Sequence, residues 1–255
     1  MDAGGWAERL NPDRPALRSR FVLEGLQRLG LEFANLSLRD LRLGPDSLRA
    51  LADSTAVQFL SANVTIPGAG WLRPYVILSR QVGGRTLRIG VTGISSTGAD
   101  FGPAWTDPDL QPAISDPIAA AAQMLHTLEG QTDLQVLLAY HPVPDLEKHL
   151  DVLGGFDLLV SGAGDLRETP ANGGLPVVLS PGTKCKFAGW ATVRPNGALG
   201  FLFTDGDLVQ LDTKIPDDAE TAKQVQAYRA RLGEPPSATQ PAQAAGAQPG
   251  PSQVH

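Results

Sequence analysis

Residues 134–150 read LQVLLAYHPVPDLEKHL, and residues 156–165 read FDLLVSGAGD. Residues 134–140 are an unbroken apolar run, the pattern of a strand covered on both faces. His141 and Pro142 end that run, and residues 144–153 continue as a helix. Residues 156–161 are a second buried strand, which closes on the glycine-rich Gly162-Ala163-Gly164-Asp165. A strand, a helix and a second buried strand in that order place this part of the chain in an α/β fold.

Working outward, residues 116–130 form a helix with Asp116 as N-cap, Pro117 in its first turn and Gly130 at its end. Upstream, residues 75–80 and 87–94 are strands around Gly83-Gly84, a hairpin signal. Residues 57–64 (VQFLSANV) form a buried strand. Residues 16–30 and 45–53 are helices, separated by an apolar run at 31–36 and a polar loop at 37–44. Downstream, 175–179, 189–194 and 199–203 are short strands, and Asn196-Gly197 is the strongest hairpin signal in the chain. Residues 215–232 form a polar helix. Residues 234–255 are rich in Pro, Ala and Gln with almost no bulky apolar groups, so they are expected to stay disordered. Alternating strands and helices in the middle, with hairpins toward the end, predict mixed sheets.

Composition removes several function classes. The net charge of −6 argues against non-specific nucleic-acid binding, which needs a basic surface. Cys185 is the sole cysteine, flanked by Lys184 and Lys186, so neither an intrachain disulfide nor a thiolate zinc site can form. No apolar stretch is long enough to span a membrane. Read from Met1, the chain carries no signal peptide and is expected in the cytoplasm. Neither a phosphate-binding Gly-x-x-x-x-Gly-Lys loop nor a Gly-x-Ser-x-Gly nucleophile elbow is present.

Three groups of segments, in order, resemble the 5'-nucleotidase branch of the calcineurin-like metallophosphoesterases. The first is LEFANLSLRDLRLG (31–44). The second is FLSANV (59–64) with RPYVILSR (73–80) and LRIGVTGI (87–94). The third is the pair of stretches quoted above with LPVVLSPGTKCKFAGWATV (175–193). The resemblance covers roughly residues 15–232. It implies a four-layer α/β sandwich in which two mixed β-sheets lie face to face, flanked by helices, as one domain over 1–233 followed by the tail. It also implies a two-metal hydrolase, in which paired divalent ions clamp a phosphate and activate water.

Residue by residue, the ligand set that the resemblance implies is depleted. The family's Asp-x-Gly-Asp stands as Asp2-Ala3-Gly4-Gly5, so Gly5 replaces the bridging aspartate. Its Asn-His-Glu stands as Leu38-Arg39-Asp40, with Leu38 at the ligand asparagine and Arg39 at the catalytic histidine. His141 matches a ligand histidine. The Gly-His-x-His loop stands as Gly162-Ala163-Gly164-Asp165. His141, Asp40 and Asp165 are thus the candidate metal ligands, enough to hold one divalent ion (Mn, Zn or Mg) weakly, and tight binding is not expected. Arg39 is the candidate anion-binding residue, since its planar fork suits a phosphate. No catalytic residue is assigned.

A bland reading stands beside each of these. His141 could be a strand-end histidine bonded to a loop, Arg39-Asp40 a turn with local salt bridges, and Asp165 the cap of a tight turn. Asn63 is expected to satisfy backbone groups, and His126 and His149 to face solvent. The expected function is that of a catalytically degenerate phosphoesterase-fold protein binding a partner or a phosphate-bearing ligand. The alternative is an active phosphoesterase with a non-standard metal site. By family analogy the partner would be a protein or an electron-transfer domain. The family's first strand, carrying Asp-x-His, has no counterpart here. An in-frame start upstream of Met1 would restore it together with an export signal to the periplasm.

Overall fold

The computed structural model describes residues 1–6, 15–98, 100–163, 176–180, 182, 186–195 and 201–233. Helix α1 (Pro15–Arg28) leads to strand β1 (Phe33–Asn35), a one-turn helix α2 (Leu38–Leu41) and α3 (Pro45–Ser54). Strands β2 (Gln58–Leu60), β3 (Val64–Thr65) and β4 (Leu72–Arg73) precede the hairpin of β5 (Tyr75–Val82) and β6 (Arg85–Ser95). Next come β7 (Ala113–Ile114), α4 (Pro117–Leu128), β8 (Leu134–Pro142), α5 (Val143–Glu147), α6 (Leu150–Leu153) and β9 (Leu158–Ala163). Strands β10 (Val177–Leu179), β11 (Phe187–Pro195) and β12 (Phe201–Gln210) and helix α7 (Ala219–Leu232) complete the order.

Five strands form a sheet in the order β10-β9-β8-β6-β5, and β1-β2-β4 form a second sheet. The first four strands of the larger sheet run parallel and β5 is antiparallel at its edge. The smaller sheet is wholly parallel. Two pairs stand apart: β3 with β7, and β11 with β12.

The period-2 alternation of strand side chains sorts the core into three apolar clusters. On β1, Ala34 joins a cluster with Leu23 of α1 and Leu48 and Leu51 of α3, while its neighbour Phe33 joins the opposite one. On β2, Phe59 and Leu60 divide in the same way. The middle cluster sets Phe33 and Leu60 against Val91 of β6 and Val136 and Leu138 of β8. The third puts Leu137 and Ala139 of β8 against Ala121 of α4, Leu146 of α5 and Leu153 of α6. Three clusters separate four layers: helices, small sheet, large sheet, helices. This is the four-layer α/β sandwich expected above, with the difference that the smaller sheet is parallel rather than mixed. Leu137 and Leu138 are both fully buried, on opposite faces of one strand. Each such leucine contributes roughly 1.5–3 kcal/mol relative to an exposed one.

Local chemistry explains the boundaries. Asp116 caps α4 by accepting from the Ala119 N–H at 2.7 Å. Gly83 and Gly84, at φ of 56° and 78°, make the two-residue turn of the β5–β6 hairpin, where both positions need positive φ. Several expectations shift. The stretch 37–44 is no loop, because Ser37 and Asp40 cap α2. The strand expected over 57–64 breaks into β2 and β3. Its interruption, Ser61-Ala62-Asn63, turns Asn63 inward, where Nδ2 donates to the Ser95 and Ser115 carbonyls and Oδ1 accepts from the Ser95 N–H. The helix expected over 144–153 divides into α5 and α6 at Lys148 and His149. Strand β7 was not anticipated.

Strands β11 and β12 pair from Phe187↔Gln210 to Pro195↔Phe201, with an irregularity at Thr192/Val193. The Asn196-Gly197 turn lies outside the described residues, as do Asp165, Cys185 and the tail 234–255. The chain divides into two compact units, Met1–Ile215 and Pro216–His255. Within the second, Asp218 caps α7 through the Thr221 N–H, and Gly233 ends it at φ 74°. No helix among the described residues is long and apolar enough to cross a membrane.

Candidate functional site

Parallel strands carry their carboxyl ends to one edge of a sheet, where α/β proteins place their sites. Here β1, β2 and β6 run on into Leu36-Ser37, Ser61 and Ser96, and β8 and β9 themselves end on His141-Pro142 and Ala163. The N-terminal segment joins them: the Asp2 N–H donates to the Phe33 carbonyl and the Asn35 N–H to the Asp2 carbonyl, both at 2.9 Å. Buried Asn35 fastens it further, its Nδ2 donating to the Ala3 carbonyl at 2.9 Å and the Ile94 carbonyl at 2.7 Å.

After Asp2 the chain turns sharply. Gly4 and Gly5 have φ of 100° and 79°, which penalises any side chain there. The Gly4 N–H donates to Asp2 Oδ1 at 2.8 Å. The Gly5 N–H donates to Asp40 Oδ2 at 2.9 Å and to Ser37 Oγ at 3.1 Å. Asp40 is fully buried, and its Oδ2 also accepts from the Ser37 N–H at 3.0 Å and the Ser37 hydroxyl at 2.5 Å. One oxygen therefore closes a capping box and pins the glycine turn to it. The Leu38 N–H donates to Ser95 Oγ at 2.7 Å, tying the same turn to β6.

Tyr140 faces Gly5. A Cβ added to Gly5 would lie 2.3 Å from Tyr140 Cε2 and 3.1 Å from two further ring atoms. Gly162 approaches from the other side, where an added Cβ would meet the Gly4 carbonyl at 3.0 Å and the Ala3 side chain at 3.1 Å. Four segments thus converge: Asp2–Gly5, Ser37–Asp40, Tyr140–His141 and Ser161–Ala163. The Ser161 hydroxyl lies 2.8 Å from the His141 carbonyl and 2.9 Å from that of Ala163, which fixes the ends of β8 and β9.

Of the residues singled out in the sequence, Asp40 sits under the turn with its carboxylate committed to backbone and hydroxyl donors. His141 is half-buried, and its Nδ1 is buried without a hydrogen-bond partner among the described residues. Arg39 is half-buried on α2, and its guanidinium makes no hydrogen bond or ion pair among the described residues. Asp165 lies outside the described residues. His126 and His149 face solvent, as expected. Tyr140, Ser37 and Ser95 were not singled out. Ser37-x-x-Asp40 is a legible capping signature, whereas nothing in the sequence marks the approach of Tyr140 to Gly5.

Burial, with the negative charge of Asp40 adding to it, raises the Asp2 carboxyl to about 6, against the opposing pull of the Gly4 N–H and the terminal amino group. Beyond β8, Lys148 at 2.7 Å holds the exposed Asp145 below its ordinary value, and the nearby His141 and His149 act in the same direction.

A bridged pair of divalent ions needs several oxygen and nitrogen donors around one small volume. The described residues do not fit that requirement. Gly5 and Leu38 offer no side-chain donor, the Tyr140 ring fills the space beside Gly5, and Asp40 already accepts from three donors. Among the described residues, no three His, Cys, Asp or Glu side chains gather in one place.

No family model and no curated protein matches the chain. Solved structures do. A 5'-nucleotidase precursor from Thermus thermophilus superposes with a TM-score of 0.71 at 21% identity, over 91% of this chain and 49% of that one. The calcineurin-like phosphoesterase YfkN of Bacillus subtilis gives 0.69 at 15% identity, over 90% of this chain and 82% of that one. The NAD nucleotidase of Haemophilus influenzae gives 0.65 at 16%, over 84% and 53%. The chain spans about half the length of the two nucleotidases. At these identities the likeness establishes the fold: this chain has the fold of the 5'-nucleotidase-type metallophosphoesterases.

Proposed function

We propose that this 5'-nucleotidase-type fold has lost its phosphoester-hydrolysing chemistry and serves to bind an anionic, phosphate-bearing ligand at its strand ends. One observation carries the reading. The buried acid at the centre, Asp40, is spent on the Gly5 and Ser37 donors, while the guanidinium one residue earlier, Arg39, has no anion beside it among the described residues. A site whose acid is engaged and whose cation has no partner among the described residues favours a phosphate over a metal ion. The half-buried His141 adds a ring nitrogen at the same edge.

Titration with inorganic phosphate and with a nucleoside monophosphate tests this by calorimetry. The wild type should bind, and Arg39→Ala should bind roughly tenfold or more weakly, the worth of a charge-assisted hydrogen bond. Equal affinity in the two proteins would refute the role of Arg39. A second reading, a single-metal phosphoesterase using Asp40, His141 and Asp165, is favoured by one feature: the buried Nδ1 of His141, unpartnered among the described residues. Metal analysis of the purified protein separates the two, since that reading needs a stoichiometric divalent ion at neutral pH.

A further inference from the structure

We infer that Tyr140 is the residue that keeps this site closed to a bridging cation, and that Gly5 and Tyr140 are a matched pair in which neither can change alone. The inference rests on the reading above, in which hydrolysis is lost, and adds a cause: the ligand space is filled as well as stripped of ligands. The volume into which a side chain at position 5 would project is taken by Tyr140, with Cε2 at 2.3 Å and Cδ2 and Cζ at 3.1 Å from an added Cβ. Three ring atoms make that contact, so the obstruction is the body of the ring rather than a flexible tip. The backbone beneath it is fixed, because the Tyr140 carbonyl accepts from the Ser96 N–H at 3.0 Å and Tyr140 pairs with Ser95 across the sheet.

Gly5 is equally fixed. Its N–H is held by Asp40 and Ser37, so the turn cannot slide away from the ring without breaking those bonds. A carboxylate introduced at position 5 alone would therefore meet the edge of the aromatic ring. Removing the ring alone would leave position 5 without a side-chain donor. Access for a hard divalent cation requires both changes together.

The test is a double-mutant cycle on the whole chain: wild type, Gly5→Asp, Tyr140→Ser and the combined variant, with Gly5→Ala and Tyr140→Phe as controls. Thermal unfolding without metal is the first readout. The positive φ of Gly5 penalises a side chain equally in every background and cancels in the cycle. Crowding by the ring should cost Gly5→Asp an additional drop of roughly 4–10 °C. Tyr140→Ser should abolish that extra loss and Tyr140→Phe should retain it. Gly5→Ala should show the same coupling with a milder perturbation, which keeps the test valid if Gly5→Asp does not fold. The second readout is Mn2+ titration, in which the combined variant should bind at least tenfold more tightly than Gly5→Asp.

Additive losses across the cycle, or equal Mn2+ affinity in Gly5→Asp and the combined variant, would overturn the inference. Hydrolysis by the wild type would instead refute the proposed function, while the coupling between positions 5 and 140 could still be measured.

Discussion

Replacing Asp40 distinguishes a carboxylate that holds the fold from one kept for a ligand. Three bonds converge on its Oδ2, from the Gly5 N–H at 2.9 Å, the Ser37 N–H at 3.0 Å and the Ser37 hydroxyl at 2.5 Å. In Asp40→Ala the Ser37 amide loses its acceptor within a buried turn, which costs about 1–3 kcal/mol. The Ser37 hydroxyl loses the same acceptor, a further loss of about 1 kcal/mol. The Gly5 amide keeps Ser37 Oγ at 3.1 Å, so its loss is partial. Relief of a buried charge offsets some of the total, leaving a net destabilisation of about 2–4 kcal/mol. For a chain of this size that is a fall in Tm of roughly 5–15 °C. Asp40→Asn keeps a carbonyl oxygen for the same donors but weakens each bond, so its loss should be about 1 kcal/mol. Urea denaturation at neutral pH, followed by circular dichroism, ranks the three proteins. The order expected is wild type, then Asn, then Ala. If either variant were more stable than wild type, the acid would be a strained functional group and the structural account of Asp40 would fail.

Other outcomes follow from the same geometry. Asp2 titrates near 6 in the fold and near 3.8 unfolded, so between those values the unfolded chain loses its proton first. Stability should therefore fall as pH rises from about 4 to about 6, by at most about 3 kcal/mol, and stay lower above that. Asp2→Asn should flatten this slope in pH-dependent urea melts; an unchanged slope would remove Asp2 as its source. Asn63→Ala frees the Ser95 N–H and two carbonyls and should cost about 2–4 kcal/mol by chemical denaturation, where a loss under about 0.5 would contradict its bracing role. Leu137→Ala, in the cluster between the large sheet and its helices, should cost about 2–5 kcal/mol, against less than about 0.5 for His126→Ala on the solvent face.

The larger sheet was legible because its strands are buried on both faces, and residues 134–140 have to be apolar throughout. Helix α4 was legible for a local reason, since Asp116, Pro117 and Gly130 mark both its ends. What escaped was set by tertiary contact. The break in 57–64 depends on Asn63 reaching Ser95 and Ser115, both distant in sequence. Helix α2 carries its own local signature in Ser37-x-x-Asp40, and only the bond from the Gly5 N–H to the same carboxylate lay beyond a local reading. At the site, the missing donors at Gly5 and Leu38 could be read directly from their side chains. That Tyr140 fills the space beside Gly5 could not, because the two are brought together only by packing of the N-terminal segment against the end of β8. The likeness to the 5'-nucleotidase-type fold was carried by the order and spacing of several segments, and the solved structures share that fold at identities of 14–21%.

The central claim is that the fold persists without its phosphoester-hydrolysing chemistry. It is tested most directly by the initial rates of hydrolysis of p-nitrophenyl phosphate and a nucleoside monophosphate with added Mn2+ or Zn2+, measured for the wild type and His141→Ala side by side. The account predicts that both proteins match the protein-free background; turnover by the wild type that disappears in His141→Ala would contradict it.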